Sequence, residues 1–364
     1  MQRIHLVTGA SGHLGNVLCR RLIEKGEAVR ALILPGDKAP GLDQLDLEIC
    51  RGDLRSLSDL GRFFSGLEGK EILLWHLASV VTIFSREGNS LREVNVEGTK
   101  HILAESQKHH VRRLLYVSSV HAMPEAPAGI LQRENPHFDP ALVVGPYAKS
   151  KAEATAAVLQ AGREGLDVVV VLPSGIIGPM DYGCGHMTQL MNAYLRRQIP
   201  ASISGAYDFV DVRDVVNGML QAMEKGRSGE SYLLTGHPLK MDDYFRILAR
   251  LTGRKPFCVR LPLALVGLVA AANEGLARLL KRQALLTRYS VSTLKTNSLF
   301  SHEKATTELG YTVRPVEESL RDALVFIRDK KSLLAPAAER QVQKEVIGRN
   351  CEHSGQKHKI IFRL

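Results

Sequence analysis

Cysteine is scarce in this chain, and what there is lies scattered. The five cysteines in 364 residues, Cys19, Cys50, Cys184, Cys258 and Cys351, share no paired spacing. That excludes a disulfide framework and a cysteine-held zinc site and points to reduced thiols. The thirteen histidines show no ligand spacing either, so no metal is expected. His109-His110 stands before a basic pair and reads as a solvated helix end. Long apolar runs are missing as well. Leu261–Ala272 has twelve residues without a polar side chain, too few to cross a bilayer, and Asn273, Glu274 and Arg278 interrupt any extension. Aromatics make up only 5% of the chain, and the net charge of +10 is spread along helices with acids between. Without a basic cluster interleaved with aromatics, a nucleic-acid partner is not expected, and the positive balance suits an anionic cofactor. The N-terminus runs straight into an apolar strand with no room for a signal peptide, so a cytoplasmic location is expected.

What is present is alternation. Strand-like runs near residues 3–8, 28–34, 47–50, 72–76, 113–118 and 167–172 are mostly separated by helix-like stretches, and "SYLLTG" at 231–236 adds a late strand. This pattern predicts right-handed βαβ crossovers and an α/β fold, a Rossmann-type doubly wound parallel sheet covered on both faces. A chain of this length, 45% hydrophobic, can bury a large core and carry a smaller appendage. The insert after Pro179 and residues 237–332 are expected to form a small, mostly helical, discontinuous lobe over the strand C-termini, where ligands bind in open α/β sheets. The division is therefore 1–179 with 206–236 for nucleotide binding, 180–205 with 237–332 for substrate, and 333–364 for a tail. That tail is basic and lacks periodicity, and it reads as flexible; a docking peptide or membrane-surface contact is the alternative.

The string Thr8-Gly9-Ala10-Ser11-Gly12-His13-Leu14-Gly15 sits behind Ile4, Leu6 and Val7 and ahead of a helix-like stretch ending at Gly26. This placement predicts a strand, a tight glycine turn and a helix N-terminus, whose N–H groups and dipole can hold a dinucleotide pyrophosphate. Gly9 allows the sharp turn, Gly12 lets backbone approach phosphate, and Gly15 lets the helix pack on the strand. Glycine spacing alone also fits an ordinary strand-to-helix turn. Further along, Tyr147 and Lys151 stand four apart at a helix start, on one face. Such a pair also fits plain helix surface. Upstream, "LLYVSSV" reads as a buried strand ending in Ser118 and Ser119.

A glycine-rich first turn, a serine at a later strand end and a Tyr/Lys pair, in that order, resemble the short-chain dehydrogenase/reductase superfamily. The Thr-Gly-x-x-Gly-x-x-Gly form resembles its extended branch, which includes sugar-nucleotide epimerases, dihydroflavonol reductases and 3β-hydroxysteroid dehydrogenases. The resemblance covers roughly residues 2–330. It implies NAD or NADP as cofactor, held by Thr8, Gly9, Ser11, Gly12, His13, Leu14 and Gly15 of the turn. "GDL" resembles the turn whose acid, Asp53, accepts the adenine amino group, with Leu54 beside it. "HLAS" resembles the strand end over which the cofactor passes, at Leu77, Ala78 and Ser79. "NVEGT" supplies Asn95, "PSGIIGP" supplies Pro173 and Ile176, and "FVDVRDVV" (209–216) stands at the expected distance.

The resemblance also implies the chemistry. An alcohol gives up hydride only if its hydroxyl proton leaves too, and free tyrosine, with a pKa of ~10, is a poor base at neutral pH. A cationic Lys151 one turn away, with a positive nicotinamide ring, is expected to lower the pKa of Tyr147, the acid/base. Lys151 would also hold the ribose hydroxyls, and Ser119 would fix the substrate oxygen, with Ser118 as the alternative.

Departures from the branch's patterns bear on substrate. Epimerases usually carry Arg and Asn where this chain has Leu172 and Gly175, and dehydratases an Asp-Glu pair where it has Val120 and His121. The apolar run around Leu265 and Leu268 reads as a core helix, a substrate wall, or an interfacial helix edged by Arg278, Lys281 and Arg282, which would allow peripheral membrane contact without a span. The expectation is an NAD(P)-dependent oxidoreductase acting on an alcohol or ketone of a steroid, terpenoid or polyphenol. A sugar-nucleotide epimerase or dehydratase and a non-catalytic NAD(P)-binding scaffold are the alternatives. "AVRALIL" ends at Leu34-Pro35-Gly36 with neither acid nor base in the usual place, and the lack of a base at Leu34 slightly favours NAD, while the flanking Arg30 and Lys38 keep NADP open. A homodimer is expected through two helices, at about 91–108 and 147–163, where Ala148, Ala152, Ala154, Ala156 and Ala157 would permit close packing between copies, with packing inside one subunit as the alternative.

Overall fold

Along each apolar run, successive side chains point to opposite faces of a sheet, so a strand covered on both sides must be apolar at every position. The computed structural model describes residues 2–82, 89–127, 129–257, 259–261, 266–267, 270, 288–294 and 297–334. In it β1 (Arg3–Thr8), β2 (Val29–Ile33), β3 (Glu48–Arg51), β4 (Glu71–His76), β5 (Arg113–Val117), β6 (Val168–Pro173) and β10 (Ser231–Leu234) form one sheet in the order β10-β6-β5-β4-β1-β2-β3. Every pairing in it is parallel. Leu6, Leu74, Leu114 and Val170 enter one core with α2 (Leu57–Phe64), α4 (Gly98–Lys108) and α5 (Pro146–Arg163). Their neighbours Val7, Trp75, Leu115 and Val171 enter the opposite core with α1 (His13–Glu24) and α7 (Val212–Lys225). The chain order reverses between β1 and β4, and a crevice opens at the C-terminal ends of strands there.

The second lobe has its own small sheet. β7 (Gly175–Ile177), β9 (Ala206–Asp211) and β11 (His237–Lys240) pair in the order β11-β9-β7, so the strand at 206–211 lies here while α7, directly after it, lies on the main sheet. α6 (His186–Leu195), α8 (Met241–Thr252) and the helix Val316–Leu334 surround a third core containing Tyr194, Phe209, Tyr244, Phe245 and Leu320.

The structure bears on two sequence readings. The segment 91–108 is not one helix: a short helix Asn89–Arg92 passes into a π turn at Glu93–Glu97 before α4. Thr99 Oγ1 donates to the Asn95 carbonyl at 2.7 Å, a side-chain bond that competes with the helical ladder. On α5, Ala148, Ala152 and Ala154 are buried in the chain's own core, with Ala156 and Ala157 packed against it. The small side chains proposed for a dimer contact thus already serve packing inside the protomer. Leu265, Leu268, Arg278, Lys281, Arg282 and the tail 335–364 lie outside the described residues. Among the described residues, no helix is long and apolar enough to cross a membrane.

Candidate active site

The glycine turn is built by close backbone approach. Gly9 has φ +71°, and a Cβ on it would lie 2.6 Å from the Ala78 nitrogen; a Cβ on Gly15 would lie 2.2 Å from the Gly9 carbonyl oxygen. Gly12 caps α1 without a side chain, and a Cβ there would meet only the Gly9 oxygen, at 3.2 Å. The space beyond is open to a ligand. The first turn of α1 carries no acid, so its unpaired N–H groups present a positive end suited to a diphosphate. Burial lowers the pKa of His13, and its neutral ring bonds through Nε2 to the Pro179 carbonyl at 2.8 Å. Ser11 Oγ donates to Asp37 Oδ2 at 2.6 Å. Asp53 is gripped by Arg55, which holds its carboxyl below the usual range.

Behind this turn runs a buried chain of hydrogen bonds. The Ala78 N–H donates to Thr8 Oγ1 (3.2 Å), Thr8 to His76 Nδ1 (2.7 Å), His76 Nε2 to Thr99 Oγ1 (3.0 Å), and Thr99 to the Asn95 carbonyl. This direction gives each group a donor or acceptor, and burial together with the Lys151 charge pushes His76 down to about 3, so the ring is neutral. The Asn95 amide is fully used: Oδ1 accepts from the Val80 N–H (2.7 Å) and Ser79 Oγ (3.2 Å), and Nδ2 donates to the Val80 carbonyl and Ser150 Oγ, both at 3.0 Å. Thr8 and Asn95, expected to touch the cofactor, are buried and do not line the cleft. They brace the segment 77–80 that does.

At the other end, Ser119, two residues beyond β5, caps a short turn, its Oγ accepting the His121 N–H at 3.2 Å. Gly145 at φ +96° and Pro146 at the first helical position start α5, which places Tyr147 in its first turn. Tyr147 hydrogen-bonds Ser119, while the Ser118 hydroxyl is held by Thr155 at 2.6 Å. Lys151 donates to the Val117 carbonyl at 2.8 Å and lies over the Tyr116 ring. The expected lowering of the Tyr147 pKa is not produced by the chain's own residues. Burial pushes the phenol up to about 12, with the Ser119 bond acting against it, and pushes Lys151 down to about 7.

These groups share a cleft of about 670 Å³. Gly9, Ser11, Gly12, His13, Leu14 and Gly15 line one end of it, with Asp53 and Leu54. Leu77, Ala78, Ser79, Ser119, Tyr147, Lys151, Pro173 and Ile176 line the rest of the predicted set. The sequence reading missed His121 and Tyr207 as cleft residues, together with the apolar side chains of the second lobe. No local spacing signals them, because only the pairing of β9 with β7 brings Tyr207 beside the end of β5.

Residues 5–234 match the model of a family described as "NAD dependent epimerase/dehydratase family". The chain is 32% identical to the sterol demethylase protein B of Methylococcus capsulatus, over 89% of this chain and 98% of that protein. It is 30% identical to a putative dihydroflavonol 4-reductase of Synechocystis, over 89% and 94%. Among solved structures, that of gox2253 superposes with a TM-score of 0.77 at 30% identity, covering 90% of this chain and 98% of that one.

Proposed function

The chain belongs to the NAD-dependent epimerase/dehydratase family, within the extended short-chain dehydrogenases/reductases, and from that premise we propose that it interconverts a secondary alcohol and a ketone on a fairly apolar small molecule of steroid, terpenoid or polyphenol type. It is an NAD(P)-dependent oxidoreductase. What supports the substrate class is the lining of the cleft that Tyr147 shares with the second lobe, to which that lobe contributes Met187, Leu190, Ile203, Phe209, Met241 and Leu294. Burying a ligand against such a wall gains about 25 cal/mol per Å² and excludes water from the reacting atoms. Two features weigh against a nucleotide sugar. The Tyr207 ring lies on Gly175, with Cε1 2.4 Å from where a Cβ would stand, so the place of an epimerase's asparagine is filled. Among the described residues, no arginine lines the cleft and Lys151 is its one lysine.

A nicotinamide cofactor bound at the glycine turn supplies the hydride donor or acceptor. The chain's residues handle the proton. With its pKa near 12, Tyr147 holds a proton at neutral pH and can give it to a carbonyl oxygen that Ser119 keeps in place. Lys151, poised near 7, carries a fractional charge at neutral pH. NAD is favoured over NADP. Arg30, one of the two flanking cations, is buried and spent on Glu48 and the Phe63 and Ser65 carbonyls. The Asp37 carboxylate on Ser11 would repel a 2′-phosphate nearby.

Turnover of NAD(H) and NADP(H), followed by absorbance against alcohols, ketones and nucleotide sugars, tests both points. NAD is expected to bind about tenfold tighter, roughly 1.4 kcal/mol. The Leu190→Asp variant is expected to raise KM for an apolar ketone while cofactor binding stays unchanged. Thermal protection by UDP- or GDP-sugars, without protection by steroids or polyphenols, would replace this reading with the epimerase.

A further inference from the structure

Behind the cleft, a buried phenol stands between Lys151 and the hydrogen-bonded chain that runs back to the glycine turn. Tyr116, in β5, does not line the cleft. Lys151 Nζ donates to the Val117 carbonyl at 2.8 Å, stands 3.5 Å from the Tyr116 hydroxyl oxygen and lies 5.0 Å from the centre of the Tyr116 ring. The same hydroxyl bonds Thr99. The direction of that bond is set by the Asn95 carbonyl, which can only accept and so takes the Thr99 proton at 2.7 Å. Thr99 Oγ1 is left with lone pairs for its other partners. His76 Nε2 therefore donates to it at 3.0 Å, and Tyr116 does the same. With its one proton spent on Thr99, the Tyr116 oxygen has only lone pairs to offer the Lys151 ammonium.

Resting on the oxidoreductase reading above, we propose that Tyr116 is a positioning residue: its hydroxyl oxygen, oriented by Thr99, is the side-chain acceptor that holds Lys151 in its charged form one helical turn beyond Tyr147. The argument is one of cost. An ammonium taken out of water must find acceptors for its protons or give one of them up. Val117 accepts one and Tyr116 the second, with the ring face adding attraction, and the third is left for the cleft that Lys151 lines. Charge from elsewhere does not do this work. The titratable groups around Lys151 are Tyr116 of β5, His76 of β4 and Tyr147 of α5, and burial keeps all three neutral at pH 7. Glu97 of the π turn and Glu153 of α5 are paired with Arg92 on the outer surface. Burial leaves Lys151 titrating near 7, so the loss of one acceptor changes its charge in the range where the enzyme works.

The test reads the charge of Lys151 directly, by nuclear magnetic resonance of the full-length, cofactor-free chain isotope-labelled at lysine Cε. The signal that titrates near pH 7 and is missing from Lys151→Met reports this residue. Tyr116→Phe keeps the ring and removes only the oxygen, so the midpoint should fall by about one pH unit, a tenfold loss of proton affinity. Thr155→Val is the packing control. It removes the hydroxyl that donates to the Lys151 carbonyl at 2.6 Å on the same helix without touching the ammonium, and its midpoint should stay where it was. A midpoint unmoved by Tyr116→Phe, or lowered equally by Thr155→Val, overturns the proposal. The catalytic consequence is read from alcohol oxidation against pH. A Lys151 that has lost its charge no longer favours the Tyr147 phenolate, so the rise in rate should move to higher pH in Tyr116→Phe. A shifted midpoint with an unshifted rate profile overturns the positioning role. A shifted midpoint in a protein that turns over no alcohol or ketone sinks the oxidoreductase reading and leaves the hold on Lys151 standing.

Discussion

Tyr147 and Lys151 stand one turn apart on α5, and burial moves both toward their neutral forms, the phenol up to about 12 and the ammonium down to about 7. Replacing Tyr147 with Phe removes only the proton-bearing oxygen. Turnover should fall by roughly 10²–10⁴ with cofactor affinity nearly unchanged, and near-normal activity would sink the acid/base assignment. For Lys151, the folded pKa lies below the unfolded value of ~10.4, so between these two values the unfolded chain binds more protons and stability rises with pH. Below about pH 7 the cost of burying the charge is constant and full. Lys151→Met should therefore be inactive yet more stable than the parent near pH 6, by about 1–4 kcal/mol, with the gap closing toward pH 10. Thermal melts at both ends of that range check the sign; a variant less stable near pH 6 contradicts it.

Between elements, the first turn and the π turn hold the cleft open from two sides. Gly15→Ala would drive a methyl into the Gly9 carbonyl and the Ala10 Cα, 2.2 and 2.7 Å away, with no flexible side chain to yield. Overpacking of this kind costs about 1–3 kcal/mol, so both the melting temperature and cofactor affinity should drop together. Asn95→Ala acts at a distance. It leaves the Val80 N–H and carbonyl and the Ser150 hydroxyl without their amide partner, at about 1–3 kcal/mol. Cofactor Kd should rise by about tenfold although Asn95 does not line the cleft, and an unchanged Kd would show that segment 79–80 holds its shape without the amide.

For the molecule as a whole, the homodimer is expected through the outer faces of α4 and α5. With Ala148, Ala152 and Ala154 turned inward, the surface that α4 and α5 form with the short helix and π turn before α4 presents Arg92, Glu97, Lys100 and Glu153, joined by ion pairs, beside the part-buried Ala156 and Ala157. Light scattering at micromolar concentration should report a dimer; a monomer there would remove the proposal.

Local pattern was enough for much of this protein. Continuous apolar runs such as that of Leu6 and Val7, buried on opposite faces of the sheet, require only the residues themselves, and the main-sheet strands read from them fall within two residues of those observed. The glycine turn and the Tyr147/Lys151 pair are equally local, since a few residues set each geometry. Other features depend on chain segments far apart in sequence. The His121–Tyr207 bond joins residues 86 apart, and it exists only because β9 leaves the main sheet for the small one. Arg30 looked available for a phosphate until α2 and β3 closed over it. The proton affinities of Tyr147, Lys151 and His76 follow from how deeply each is buried, and the exclusion of water from a site is a property of everything packed around it.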